Sequence, residues 1–319
     1  MKLITFLLLC LAFAGCNSAG GTRPEPAPDP EPEPMAVSYP DIEWALDAEE
    51  TRTNVGGDVL DLSAGEVDES FVALIDEADS IYLSNVGVLV DGGDDSFSAP
   101  ECAGRACEIP GFGDFSLDEI DTGNYESQPV MVYRGISFGQ RRSPGTDADG
   151  ESFEALGYGG WLDHHYFAIN ASLYPDTDNA EKVVLYSYVV GDETGTNPTS
   201  GSASWKGVAI GVDASQRFHE RRLLQADVDI TIEDFMSPMV DVLFDNIKDL
   251  RTGEDFTLVP SVSWSDLALV DGAFAHEEGT LGQMDRNRIE GRFYGPDHEE
   301  IGGVFEYATV VGSFGARRD

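Results

Sequence analysis

Cations are scarce in this chain. Lys and Arg together number 19 against 59 Asp and Glu, a formal charge of −40 over 319 residues. A polyanion of that density is repelled by phosphate backbones and anionic lipid headgroups, which excludes nucleic acid as a partner. Long runs rich in Leu, Ala, Lys and Glu are missing, and this argues against a helical bundle. Disorder throughout is excluded in turn, because 17 Phe, 11 Tyr and 4 Trp are too many to leave in water. What is abundant is glycine, 35 residues, with 16 Pro. The chain reads as acidic, Gly-rich, mainly β, and long enough for one large or two ordinary domains.

A catalytic constellation is also lacking. Residues 135–139, GISFG, match the G-x-S-x-G nucleophile pattern, but that pattern works only on a strand–turn–helix that supports an oxyanion. QRRSPGTDADG follows and cannot start a helix, so Ser137 reads as part of a continuing strand. Residues 147–150 and 176–179 have a calcium-loop flavour. An EF-hand wants Gly sixth and Glu twelfth, and counting from Asp147 these positions hold Ser152 and Tyr158, so solvated turns are the better reading. His164 and His165 are neighbours on an expected strand, point to opposite faces and cannot share a metal. His219, His276 and His298 fall in separate elements. The pairs Arg141-Arg142, Arg221-Arg222 and Arg317-Arg318 could meet an anionic partner or pair with local carboxylates. No enzyme activity, metal or cofactor is expected.

The N-terminus MKLITFLLLCLAFAGC has one positive charge, an apolar run from Leu3 to Ala14, then Gly15 and Cys16. The run is too short to span a bilayer and reads as a secretory segment. Its ending resembles the lipobox of bacterial lipoproteins, in which cleavage before the cysteine leaves that residue acylated. The resemblance implies lipidation at Cys16, and Asn17, which is not the Asp of inner-membrane retention, implies the outer membrane. The membrane is then held by acyl chains and not by charge. TRPEPAPDPEPEP follows, with Pro at every second position from Pro24 to Pro34. Such a segment favours extended polyproline II at about 3.1 Å per residue and holds a domain away from the surface.

Of the four cysteines, Cys10 leaves with the secretory segment and Cys16 is the lipid site. Cys102 and Cys107, in an oxidising compartment, read as a disulfide closing a small loop; a redox-active or metal-binding pair wants C-x-x-C spacing and further ligands. In SAGEVDESFVALIDEADSIYL, Ser63 and Glu66 match a capping box, and Val67, Phe71, Leu74, Ile75 and Ala78 share one helical face. Strand-like runs follow, QPVMVYRGISFG among them, with RRSPGTDADGES expected as a turn. GDETGTNPTSGS is turn chemistry and marks a boundary. After it, Leu224, Ala226, Val228, Ile230 and Ile232 alternate with polar residues, the period of a half-buried antiparallel strand. About eight such runs suit closure into a small barrel. The expected organisation is a lipoprotein signal at 1–15, a Pro-rich tether at 16–40, a β-rich domain with one amphipathic helix at 41–195, and an eight-stranded antiparallel β-barrel at 196–319. An aliphatic face of this kind predicts a barrel interior packed with side chains, leaving binding to rim loops and the N-terminal domain.

SASWKGVAIGVD, ADVDITIEDF, VLFDNIKDL, FYGPDHEEIGGVF and VVGSFGARR occur in that order. Together they resemble the β-barrel domain of the transferrin-binding protein B family, surface lipoproteins of Gram-negative bacteria; factor H binding protein has a related barrel. The densest part is Phe293, Tyr294, Gly295 and Pro296, then Glu299 and Glu300, Gly302 and Gly303, and Phe314, Gly315 and Ala316. On its own physics, Pro296 pre-sets a short helical turn with Asp297, Glu299 and Glu300 at its positive end. Gly302 and Gly303 let strands pass closely, so the motif reads as barrel closure. The resemblance implies a surface-exposed lipoprotein of the outer membrane that binds a protein or iron-bearing ligand through variable loops and hands it to an outer-membrane transporter. The alternative is a structural or self-associating envelope lipoprotein without cargo.

Overall fold

Short apolar-alternating runs punctuated by Gly, Asp and Pro fold as strands, and strands dominate the computed structural model. It describes residues 48–60, 66–90, 96–110, 113–119, 130–147, 150–174, 182–214, 222–280 and 283–319. The secretory segment, Cys16, the proline tether, Ser63, Asp149, residues 176–179, His219 and Arg221 lie outside these. In chain order come α1 (Ala48–Val55), β1 (Asp58–Leu60), α2 (Glu66–Glu77), β2 (Ser80–Leu83), β3 (Val86–Val90), β4 (Ser96–Ser98), β5 (Glu101–Ala103), β6 (Ala106–Ile109) and β7 (Gly113–Ser116). Then come β8 (Val130–Tyr133), β9 (Ile136–Thr146), β10 (Ser152–Trp161), β11 (His165–Tyr174) and β12 (Lys182–Gly191). The C-terminal part holds β13 (Ala203–Asp213), β14 (Leu223–Ile232), β15 (Met239–Asp249), β16 (Val262–Ala268), β17 (Ala273–Glu278), β18 (Asn287–Tyr294), β19 (Glu300–Tyr307) and β20 (Val310–Arg318).

β13–β20 form one antiparallel sheet in the order β16-β15-β14-β13-β20-β19-β18-β17, a nearly closed barrel whose two ends, among the described residues, are bridged at Val270–Ala273. The alternation along β14 is realised: Leu224, Ala226, Val228, Ile230 and Ile232 face inward with Trp205, Phe244, Phe293, Phe305 and Phe314. A cavity of about 30 Å³ remains among Gly211, Phe244, Phe256 and Phe305, room for about two waters and no ligand. The barrel is therefore packed with its own side chains.

β1–β4 and β8–β12 form a nine-stranded sheet, and β5–β7 a three-stranded one. Residues Ser38–Asp319 are a single compact unit, and the reason is legible in β13. Its odd side chains, Trp205 and Ala209, enter the barrel, while Val208, Ile210 and Val212 point outward and pack with Phe167, Ile169 and Val189 of the nine-stranded sheet. A strand buried on both faces cannot alternate, which explains the continuous run GVAIGV.

Three local expectations differ from the structure. QPVMVYRGISFG is two strands: Arg134 and Gly135 both have positive φ (52° and 76°), a two-residue hairpin between β8 and β9. The signal was masked because Arg seldom occupies a left-handed position. RRSPGTDADGES begins as strand, since β9 continues to Thr146, and Pro144 is tolerated because β9 beyond Phe138 pairs on one side only, with β10. The helix α1 has almost no apolar face in AEETRTNV and so left no periodic signature.

The expected helix exists as α2, and its end explains the cysteines. Cys102 and Cys107 are disulfide-bonded opposite one another in the β5–β6 hairpin, with Cys107 buried. Arg105 at the hairpin tip donates to the carbonyls of Ile75, Asp76 and Ala78 and bridges Asp118 at 2.8 Å. α2 has no cation of its own in its last turn, so this guanidinium supplies the charge that its C-terminal dipole favours. Arg105→Ala should cost about 1–2 kcal/mol locally. Amide exchange in α2 should accelerate while the barrel amides stay protected; loss of protection in the barrel instead would contradict this assignment.

Candidate functional site

The β10–β11 hairpin, LDHH, turns where Leu162 N–H donates to the carbonyl of His165. The strand expected to carry both histidines begins only at His165: His164 lies in the bend before it, half-buried beside Gly295, and His165 is completely buried. The His165 Nδ1 lies 2.8 Å from Glu300 Oε2, and Glu300 also accepts the backbone N–H groups of Asp163 (2.9 Å) and His164 (3.0 Å). Burial pushes the Glu300 carboxyl up, but the His165 contact and the two backbone donors outweigh it and hold the group below its ordinary range. An ionised carboxylate has no proton to give, so Nδ1 carries the imidazole hydrogen. The ring stacks on buried Tyr294, 4.8 Å between centroids.

Glycines make room for this ring. A Cβ at Gly302 would lie 2.6 Å from His165 Nε2, and one at Gly315 would lie 2.7 Å from that nitrogen and 2.5 Å from the Phe167 ring. Two sequence readings are thereby corrected. Residues 295–298 form a turn, not a helical segment, and Glu300 serves no helix end. Glu300, Gly302 and Gly315 dock the nine-stranded sheet, whereas Gly303, facing the Glu290 carbonyl and Phe314, serves the barrel itself.

Further along β19, Glu306 is buried and accepts Asn85 N–H (2.8 Å) and side-chain amide, Arg286 Nε (2.7 Å) and an Arg288 guanidinium nitrogen (2.9 Å). Burial raises this carboxyl too, and Arg288, Asn85 and Arg286 overcome that and lower it. Arg292 continues the row. It bridges Glu290 and Glu193, and its guanidinium lies 3.6 Å from the Tyr82 ring centroid while the Tyr82 hydroxyl donates to Glu193. At the hairpin of β8 and β9, the Tyr133 hydroxyl donates to Asp227 and Arg134 bridges the same carboxylate. Burial, helped by Asp227, pushes Tyr133 up to about 12.

These arginines were not singled out in the sequence, although Arg286, Arg288 and Arg292 recur at even spacing, the mark of one strand face. The adjacent arginines meet carboxylates and carbonyls, local for Arg142 with Glu154, Arg222 with Asp249 and Arg318 with the carbonyl of Asp297, but 154 residues away for Arg317 with Asp163. Ser137 is in strand β9 with no helix after it, and Asp147 Oδ1 caps a turn at Glu151 N–H. His276 lies 3.8 Å from Glu278, and His298 meets Thr196. Among the described residues no group of His, Cys, Asp or Glu could hold a metal, and no helix is long and apolar enough to cross a membrane.

With the interior packed and one wall covered, the barrel offers its rim. At one end the segments 194–203, 233–239, 269–272 and 295–299 are tied together. Phe235 N–H donates to the Gly201 carbonyl (2.9 Å), Leu269 N–H to that of Pro238 (3.3 Å), and Gly272 N–H to Asn197 Oδ1 (2.7 Å), while Thr194 Oγ1 bonds Gly295.

Residues 266–318, the end of β16 through β20, match the family model of the C-lobe and N-lobe beta barrels of Tf-binding protein B. Over those residues the barrel has a transferrin-binding protein B-like fold. Among solved structures, intact Ap-TbpB with its N and C lobes is 12% identical, TM-score 0.39, over 75% of this chain and 46% of that one. A transferrin-binding protein B double mutant from Haemophilus parasuis is 15% identical, TM-score 0.39, over 70% and 47%. The N-lobe domain of lactoferrin binding protein B of Moraxella bovis is 16% identical, TM-score 0.31, over 57% and 80%. The chain thus spans about half the length of the first two. No curated protein matches it.

The buried carboxylates set an acid limit. Glu300 and Glu306 have folded values below the ordinary 4.5, so they contribute stability that is complete above that value and lost as pH falls through the folded values. Glu306→Gln, which removes the buried anion of Arg286 and leaves it only the exposed Glu277, should cost about 3–5 kcal/mol at neutral pH and flatten the acid limb of a urea-midpoint profile taken below about pH 4.5. An unchanged acid limb would place the proton uptake elsewhere.

Proposed function

We propose that this chain is a lipoprotein of the Gram-negative outer membrane, held by acyl chains on Cys16 and displayed at the cell surface, that binds a protein or iron-bearing ligand and hands it to an outer-membrane transporter. The observation that carries the reading is the match of residues 266–318, the second half of the barrel, to the barrels of Tf-binding protein B. The lipobox-like ending LAFAGC and the stiff proline tether support it, since a lever of this kind places a domain clear of the membrane. A packed barrel with a rigid rim also suits recognition better than enclosure of cargo. The self-associating alternative is opposed by the charge of −40, which repels a second copy.

A clickable palmitate analogue should label the wild type and not Cys16→Ser, and protease applied to intact cells should remove the wild-type domain. Equal labelling of both, or full protection from protease, would reject the anchored surface protein. Retention of a transporter or an iron compound on the immobilised mature chain is the expected binding outcome; retention of further copies alone would favour the structural alternative.

A further inference from the structure

Six large apolar side chains are exposed among the described residues, all in the barrel, and three of them share one rim: Met236 at 81%, Val270 at 62% and Met239 at 45%. Met236 and Val270 stand on the β14–β15 and β16–β17 turns, and Met239 opens β15 beside them. Leu258 and Met284 are at the other end of the barrel, each in its own loop, and Leu243 is on the wall. Single exposed hydrophobes need no explanation, but two on adjoining turns and a third at the strand end beside them form a patch.

The turns that carry them are rigid. Met236 N–H donates to Asp234 Oδ1 at 2.8 Å and Ser237 N–H to the Asp234 carbonyl at 3.1 Å, while neighbouring Phe235 is buried edge-on against Trp205. Val270 and Ala273 exchange both backbone hydrogen bonds (2.8 and 3.0 Å) across Asp271-Gly272, whose positive φ values (49° and 77°) are those of a two-residue hairpin. The Leu269–Pro238 bond joins the two turns. An apolar side chain on a fixed turn loses little entropy when it is covered.

The surroundings are of one sign. Segments 231–241 and 265–272 contain no Lys, Arg or His, and their acids Glu233, Asp234, Asp241, Asp266 and Asp271 are all exposed. Cations near this end are already engaged: Arg318 with the Asp297 carbonyl and over the Trp205 ring, and Lys206 with Asp319 at 2.8 Å. A like-charged copy, an anionic bilayer and nucleic acid are all repelled by such a rim. We propose that Met236, Met239 and Val270 form a docking knuckle for a cationic protein surface, its apolar pocket taking these three side chains and its Lys and Arg residues meeting the ring of carboxylates. This rests on the binding reading above and names the partner's chemistry; the carboxylates set approach and orientation, and the apolar contact sets residence.

The test uses the full chain and two short synthetic peptides of equal charge, one alternating Lys with Leu and one alternating Lys with Ser. The Lys–Leu peptide should bind about tenfold tighter at low salt and protect amides in 233–239 and 269–272 from exchange. The double variant Met236→Ser, Val270→Ser, at positions too exposed to disturb the core, should abolish that preference, whereas Leu258→Ser, Met284→Ser should keep it. Equal binding of both peptides, protection confined to other segments, or a preference surviving in the rim variant would overturn the knuckle. The readings separate cleanly. A natural ligand held equally by wild type and rim variant removes this inference alone, and a rim preference in a chain that retains no natural ligand removes the binding reading alone.

Discussion

Two carboxylates on one strand set the geometry of the whole molecule. Glu300 and Glu306 lie six residues apart on β19, so both project from the outer face of the barrel, about 20 Å from each other. Between them on that face are Gly302, which admits His165, and Val304, which joins the apolar seam with Phe167 and Val189. An apolar seam alone tolerates sliding, because methyl groups are nearly interchangeable. A buried carboxylate does not, since moving it by one residue removes its donors and leaves an uncompensated charge. Glu300 requires the LDHH hairpin and Glu306 requires Asn85, two points of the nine-stranded sheet nearly 80 residues apart in sequence. With both satisfied, one register of sheet against barrel remains.

The same constraint marks what was legible from residues alone. Strands that face one core and one solvent alternate, and β14 could be read directly at Leu224 to Ile232. β13 is buried on both faces, so its run gives the strand without saying what lies outside it. Glu300 was misplaced at a helix end because its local neighbours, Pro296 and Asp297, are turn formers. Its true partner, His165, is 135 residues earlier, and no local pattern reports a contact at that distance. Strand geometry assigned His164 and His165 to opposite faces, but the strand starts only at His165, and the burial of that ring depends on Glu300 and Tyr294, which no local pattern reports. Arg286, Arg288 and Arg292 were hidden by their spacing: adjacent arginines attract notice, whereas alternating ones are the pair-forming kind on a strand.

Those arginines also explain how so acidic a chain folds. Several basic side chains sit at internal junctions: Arg105 on α2, Arg134 on Asp227, and Arg286 and Arg288 on Glu306, with Arg292 between Glu193 and Glu290. The exterior keeps its own cations, Arg142, Lys206 and Arg317 among them, but each of these is paired with a carboxylate. Repulsion within that exterior opposes compaction, and the buried pairs work against it where screening by salt is weakest.

A packed interior and a fixed seam leave little of the barrel able to change on binding. Trp205, Phe244 and Phe314 fill the space that a small ligand would need, and the covered wall of β13, β20 and β19 is committed to the nine-stranded sheet. A partner of the proposed kind would then meet surfaces already formed before it arrives. Such a surface gains affinity from shape and charge already in place, not from ordering on contact, so it loses less entropy per side chain covered. For an anionic rim the electrostatic part acts mainly on the rate of encounter and fades within a Debye length of about 8 Å at physiological salt. The apolar part is short-ranged and insensitive to salt. In a saline medium the three side chains of the rim therefore outlast its carboxylates as determinants of how long a partner stays.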